Sequence, residues 1–160
     1  MNLSISLITL TMLPYLSFTF LGAALTSEPA PYPPKCKVTK PNGNTPPGEP
    51  PSPHFHGGAG LWTSLWRDTP SEPDVVLEDG SLSMKFPWWR GVKGKLTIEG
   101  RRLDGPAAPL RSIIPDGYGD TGFQPTGLIF PTEGCWEVVG RVGDVSLKFV
   151  ILVTKGKDRK

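Results

Sequence analysis

From residue 61 onward the apolar side chains return mostly at every second position, and no window sustains the i, i+3, i+4 spacing of an amphipathic helix. That alternation excludes a helical body and demands extended backbone. The clearest strand covers residues 145–154, where Val145, Leu147, Phe149, Ile151 and Val153 point one way and Ser146, Lys148 and Thr154 the other. Val150 and Leu152 break the polar side, which predicts partial cover on both faces. Just upstream, Trp136 and Val138 alternate with Glu137 and Val139, and Gly140-Arg141-Val142-Gly143-Asp144 joins the two strands as a hairpin. Leu96 and Ile98 alternate with Lys95, Thr97 and Glu99 in a third strand. Leu82, Met84 and Phe86 do so in a fourth, after the turn Glu78-Asp79-Gly80. Shorter candidates lie at 61–66, 75–77 and 127–130. Six or seven short strands between Gly, Pro and Asp turns define an all-β chain, an antiparallel sandwich.

Residues 27–53 are of another kind. They are dense in proline, including Pro33-Pro34, Pro46-Pro47 and Pro50-Pro51, with hardly an aliphatic residue among them. Proline fixes φ and removes the amide donor, so this arm is expected to be extended and partly polyproline-like, either a spacer or a wrapping of the domain surface. Asn42-Gly43 marks a tight turn inside it. Composition changes at Gly57-Gly58-Ala59-Gly60, where the domain is expected to begin.

The chain opens with an uncharged apolar stretch over residues 3–25, which carries near its end the small residues Gly22-Ala23-Ala24 that a signal peptidase needs. This predicts a leader cleaved after Ala24, or an anchor of membrane-spanning length if it stays. The expected organisation is therefore leader 1–24, arm 25–59, sandwich 60–155 and basic tail 156–160. Formal net charge is only +2 over 160 residues, which argues against a dedicated nucleic-acid binder. Lys93, Lys95, Arg101, Arg102 and Arg111 give the middle a mild basic bias, read as a solvated strand face. The expected location is extracytoplasmic, secreted or attached to the cell envelope.

Export makes a disulfide between Cys36 and Cys135 the default, with two free thiols as the alternative. By alternation Cys135 lies opposite Trp136 and Val138, on the outer face of its sheet, where an extended arm can be strapped. Closing so long a loop stabilises the fold by about 4–5 kcal/mol in the chain-entropy model.

The run Phe130-Pro131-Thr132-Glu133-Gly134-Cys135-Trp136-Glu137-Val138 resembles the corner that enters the penultimate strand of immunoglobulin-like domains. The resemblance implies an immunoglobulin-like antiparallel β-sandwich. Asp79-Gly80-Ser81-Leu82-Ser83-Met84-Lys85-Phe86-Pro87-Trp88-Trp89-Arg90-Gly91, with Gly117-Tyr118-Gly119-Asp120-Thr121-Gly122-Phe123-Gln124 and residues 130–140, is similar to a family of bacterial secreted or membrane-attached proteins. That likeness runs from Cys36 onward. It implies bacterial export and supports the Cys36–Cys135 pairing, and it implies no activity.

Candidate chemistry is sparse. His54 and His56 are the only histidines, and His-x-His in extended backbone sets both rings to one side, as copper and zinc sites require. A surface pair beside glycines is the plainer reading. With no histidine after His56, a Ser-His-Asp or Cys-His nucleophile would have to recruit the arm, so hydrolytic catalysis is not expected. Asp116-Gly117-Tyr118-Gly119-Asp120 sets two carboxylates on a glycine-rich loop, as a Ca²⁺ site or an acid/base pair would need, though a flexible turn in which Asp binds backbone amides is the plainer reading.

Trp88-Trp89-Arg90 is the most suggestive surface element. Successive strand residues face opposite ways, so one tryptophan can enter the core while the other stacks outward as a platform for a sugar or a protein. Trp62 and Trp66 share a face of the first strand and read as core. Together these readings give an exported, non-enzymatic binding or structural module of the cell envelope with no cofactor. Its contact surface is Trp88 or Trp89, Arg90, Asp116, Tyr118 and Asp120, and its partner an unknown protein or glycan. The alternative is a metal-handling protein or small metalloenzyme that uses His54 and His56 with Asp116 or Asp120.

Overall fold

The computed structural model describes residues 36–66 and 70–155. The leader 1–24, the arm as far as residue 35 and the tail 156–160 lie outside the described residues. Among the described residues extended chain accounts for every regular element: β1 (Phe55–Gly58), β2 (Leu61–Ser64), β3 (Val75–Val76), β4 (Leu82–Arg90), β5 (Thr97–Arg102), β6 (Arg111–Ile113), β7 (Gly122–Phe130), β8 (Gly134–Val142) and β9 (Val145–Val153). Two antiparallel sheets result. The larger, sheet A, runs β1-β2-β4-β7-β6, with β3 also paired to β4; sheet B runs β5-β8-β9.

Alternation decides what each face buries. On β4, Leu82, Met84, Phe86 and Trp88 turn inward, as do Leu128 and Phe130 of β7. Against them sheet B sets Ile98, Trp136, Val138, Val142, Phe149, Ile151 and Val153. Rings interlock across the gap, with Phe86 and Phe149 stacked at 5.8 Å and Trp88 tilted on Phe149 at 5.9 Å. Burial of side chains this size contributes about 1.5–3 kcal/mol each, which is what drives the two layers together. The fold is an all-β sandwich.

The hairpin between β8 and β9 closes on Gly143-Asp144, since Val142 is register partner of Val145. Gly143 takes φ 54°, at the first central position, as a type II′ turn requires.

Two prolines occupy the middle of sheet A. Pro87 of β4 stands opposite Pro125 of β7. Neither can donate to the other, so this must be a non-hydrogen-bonded pair of the antiparallel ladder, with the bonding pairs on either side. Their missing donors then face away from one another. Pro87 lies between the stretches of β4 that pair with β3 and with β2, and Pro125 lies beyond the end of β6. The prolines thus sit where the ladder asks nothing of them.

The arm wraps the body. Cys36 is bonded to Cys135 with a Cα–Cα separation of 5.5 Å, and Cys135 lies on the outer face of β8 as alternation predicts. Thr39 donates its amide to the Val150 carbonyl at 2.9 Å and accepts the Val150 amide on Oγ1 at 2.8 Å, covering the open edge of β9. Further along β9, Ser71 forms a parallel bridge to Val153. Asn42 and Asn44 then close the edge of β1: both side-chain amides donate to the Gly57 carbonyl, at 2.8 and 3.1 Å, and Asn42 Oδ1 accepts the Gly57 amide at 3.2 Å. Exposed strand edges are templates for unwanted pairing, and the arm blunts both. Since β1 falls within residues read as arm, the sandwich begins before Gly60.

Candidate functional site

The strand parity of β4 divides the Trp88-Trp89 pair. Trp88 is fully buried between the sheets, and the bare Cα of Gly140 makes room for its indole. Trp89 emerges on the outer face of sheet A, half-buried, its register partner on β7 being Phe123. There it joins a row of aromatic rings. Phe55 of β1 meets Trp89 edge-on at 4.9 Å, Trp89 meets Phe123 at 5.4 Å, and Phe123 meets Tyr118 at 6.4 Å. Such edge-to-face pairs each contribute about 0.5–1.5 kcal/mol beyond burial, so the row is preorganised rather than a loose cluster. Phe123 and Tyr118 nevertheless remain 46% and 43% exposed.

Trp62, the partner of Trp89 on β2, also turns outward and is half-buried, with Gly57 and Gly91 leaving room for its ring. Leu61 and Thr63 take the inner positions of β2, fully buried, so the expectation that Trp62 and Trp66 enter the core is corrected. Trp66 follows β2 and is 48% exposed. An apolar groove of about 490 Å³ runs from it across the outer face of sheet A. Its lining includes Trp66, Lys85, Pro87, Ile113, Phe123 and Pro125.

Arg90 does not lie open beside the aromatic row. It is 4% exposed and acts from below: Nη2 donates to the carbonyls of Tyr118 and Gly119, each at 2.9 Å, and Nη1 to that of Gly94 at 3.2 Å. A planar guanidinium can grip several carbonyls at once. Loop 116–120 is further tied by the Gly94 amide, which donates to the Asp120 carbonyl at 3.2 Å. Arg90 therefore positions the loop, and the loop positions Tyr118 against Phe123. Asp116 and Asp120 are exposed on that loop and line, with Arg90 and Lys95, a polar cavity of about 210 Å³.

The histidines part company. His54 is exposed in the turn before β1, whereas His56 is half-buried on the inner side of β1, opposite Thr63. Burial lowers the His56 pKa, against an opposing contribution from a hydrogen bond to the Lys148 backbone. Among the described residues no group of three or more His, Cys, Asp and Glu side chains could hold a metal ion.

The basic residues of the middle are mostly engaged. Arg101 pairs with Glu137 at 2.9 Å on the outer face of sheet B, and Arg111 with Asp79 at 3.1 Å. Arg102 grips Asp104 at 2.6 Å near the corner that enters β8.

Phe123, Pro87, Pro125 and Ile113 belong to the surface but were not singled out by sequence. The signal was present in part, because Phe123 stands in the same glycine-rich run as Tyr118. Only the β4–β7 register sets it beside Trp89. Comparison with family models, with curated proteins and with solved structures finds no match to this chain.

Proposed function

We propose that the protein is an exported, non-enzymatic binding module of the bacterial cell envelope that recognises its partner with the outer face of sheet A. The observation that carries this reading is the continuous ring contact from Phe55 through Trp89 and Phe123 to Tyr118, part shielded and part open. Aromatic anchors of this kind dominate binding energy at interfaces. Here ring-to-ring contacts and the β4–β7 ladder hold them in place, so little entropy is lost when a ligand docks. The disulfide itself is what an oxidising compartment outside the cytoplasm produces.

The contact residues are Trp89 and Tyr118, joined by Phe123. Trp88 and Arg90 serve as support, the first by packing and the second by holding the loop. Asp116 and Asp120 form a polar border to the same region.

The test is retention of envelope components by the immobilised protein. Phe123→Ala and Tyr118→Ala should each abolish retention while the protein stays folded, the stability lost being about 1–3 kcal/mol for the two ring pairs of Phe123 and about 0.5–1.5 kcal/mol for the one of Tyr118. Retention unchanged in both variants would contradict the assignment.

A further inference from the structure

The sandwich has an open seam where β2 of sheet A faces β9 of sheet B with no ladder between them. The chain closes this seam as a roof rather than by filling it. Thr39 of the arm is bonded to Val150, and the disulfide of Cys36 fixes the arm just ahead. Ser71 donates its amide to the Leu152 carbonyl at 2.7 Å and accepts that of Thr154 at 3.1 Å. Beneath lies a cavity of about 300 Å³. Its inner end reaches Phe86 of β4 and Ile151 of β9, both core residues, so it opens onto the space between the layers. Val38, Pro41, Leu65 and Trp66 extend the apolar wall.

No buried side-chain donor or acceptor of the lining lacks a partner; the orphaned atoms among the described residues belong to His56, Trp88 and Arg90, which lie elsewhere. Water held in a cavity needs about two to four polar partners, whereas an apolar cavity of about 150 Å³ stays dry and takes benzene. On that scale this one has room for about ten to twelve carbons. Lys40 supplies the only charge of the lining. It is exposed, and so at the rim, and it has no carboxylate partner among the described residues. A lone cation beside an apolar hole complements an anionic head on an alkyl tail.

We infer that the cavity between arm and sandwich binds a medium-chain fatty acid, with its alkyl chain beneath the arm against Phe86 and Ile151 and its carboxylate at Lys40. Trp66 lines both this cavity and the groove on the outer face of sheet A. The site does not depend on the aromatic row being a recognition surface.

Titration of the full disulfide-bonded chain with sodium decanoate, followed by calorimetry and by amide chemical shifts, tests the inference. Saturable one-to-one binding is expected, with shifts centred on Val38, Leu65 and Ile151. Affinity should rise about fourfold per methylene from hexanoate to decanoate and level off beyond dodecanoate, where the cavity ends. Lys40→Glu, at an exposed position, should weaken decanoate about tenfold and leave decanol unmoved. Val38→Trp, which fills the cavity from its roof, should abolish binding of both. Absence of saturation, shifts centred on Phe123 and Tyr118, affinity that climbs without a plateau, or equal weakening of decanoate and decanol by Lys40→Glu overturns the inference. So does decanoate binding undiminished in Val38→Trp, which would put the fatty acid on the apolar leader. Cosedimentation with phosphatidylglycerol vesicles that Lys40→Glu reduces, with no binding of decanoate, would make a bilayer lipid the occupant and overturn it as well.

Discussion

The indole of Trp88 rests against the bare Cα of Gly140, so closely that a methyl group there would overlap Cζ3 and Cη2 of the ring. Trp88 comes from sheet A and Gly140 from sheet B, and the contact fixes how near the two layers approach.

Gly140→Ala should therefore destabilise the fold by about 1–3 kcal/mol, the usual cost of overpacking a filled core. In Trp88→Phe the smaller ring leaves space, and adding Gly140→Ala to that background should cost much less. Urea unfolding of the four proteins in this cycle gives the coupling. Additive effects would mean that the two residues do not meet as described.

The Cys36–Cys135 bond spans a sequence separation of 99. In the chain-entropy model a loop of that size is worth about 4–5 kcal/mol, and the paired Cys36→Ser, Cys135→Ser variant should lose most of it. The loss has a local signature as well. With the clasp gone, the Val150 amide should exchange faster than the Phe149 amide, because the partner of the first is Thr39 on the released arm. Equal changes at both positions would show that the arm does not seal that edge.

Burial holds His56 below the ordinary imidazole value of 6.5, with the Lys148 hydrogen bond opposing in part. The unfolded chain then takes up the proton first as pH falls. The resulting stability is fully present above pH 6.5 and declines as pH drops through that value toward the lower folded one. His56→Gln should flatten this decline between neutral and mildly acidic pH, read as the unfolding midpoint at each pH. Parallel curves for the two proteins would contradict the burial of His56.

Arg90→Met removes the grip on three carbonyls and should cost about 2–4 kcal/mol, since charged hydrogen bonds lost from a buried site are expensive. Arg90→Lys should recover only part, because an ammonium cannot span the same carbonyls. Amide shifts of Tyr118 and Gly119 should move in both variants while those of β9 stay. An unperturbed loop would remove Arg90 from its positioning role.

Much of this architecture is legible in the sequence where alternation meets a clear inside and outside. β4, β8 and β9 show it best: their inward residues are apolar at nearly every second place, Arg90 at the end of β4 excepted, and the structure buries them, in part at Val145 and Leu147 and fully from Phe149 to Val153. β1 carries no such mark. Its Phe55-His56-Gly57-Gly58 is held at its open edge by the side chains of Asn42 and Asn44, a long-range device that local pattern does not reveal. β2 has the right period and the opposite parity, because Leu61 rather than Trp62 faces sheet B. The site was half visible. Trp89 and Tyr118 stand out by type, yet their connection through Phe123 exists only once β4 and β7 are in register.

Photo-crosslinking tests the recognition face most directly. Benzoylphenylalanine placed at Phe123, on the outer face of sheet A, and separately at Thr97, exposed on the outer face of sheet B, would be irradiated in the presence of envelope extract. A discrete adduct from position 123 and none from position 97 is the predicted result. Adducts of equal yield from both positions, or from position 97 alone, would contradict it.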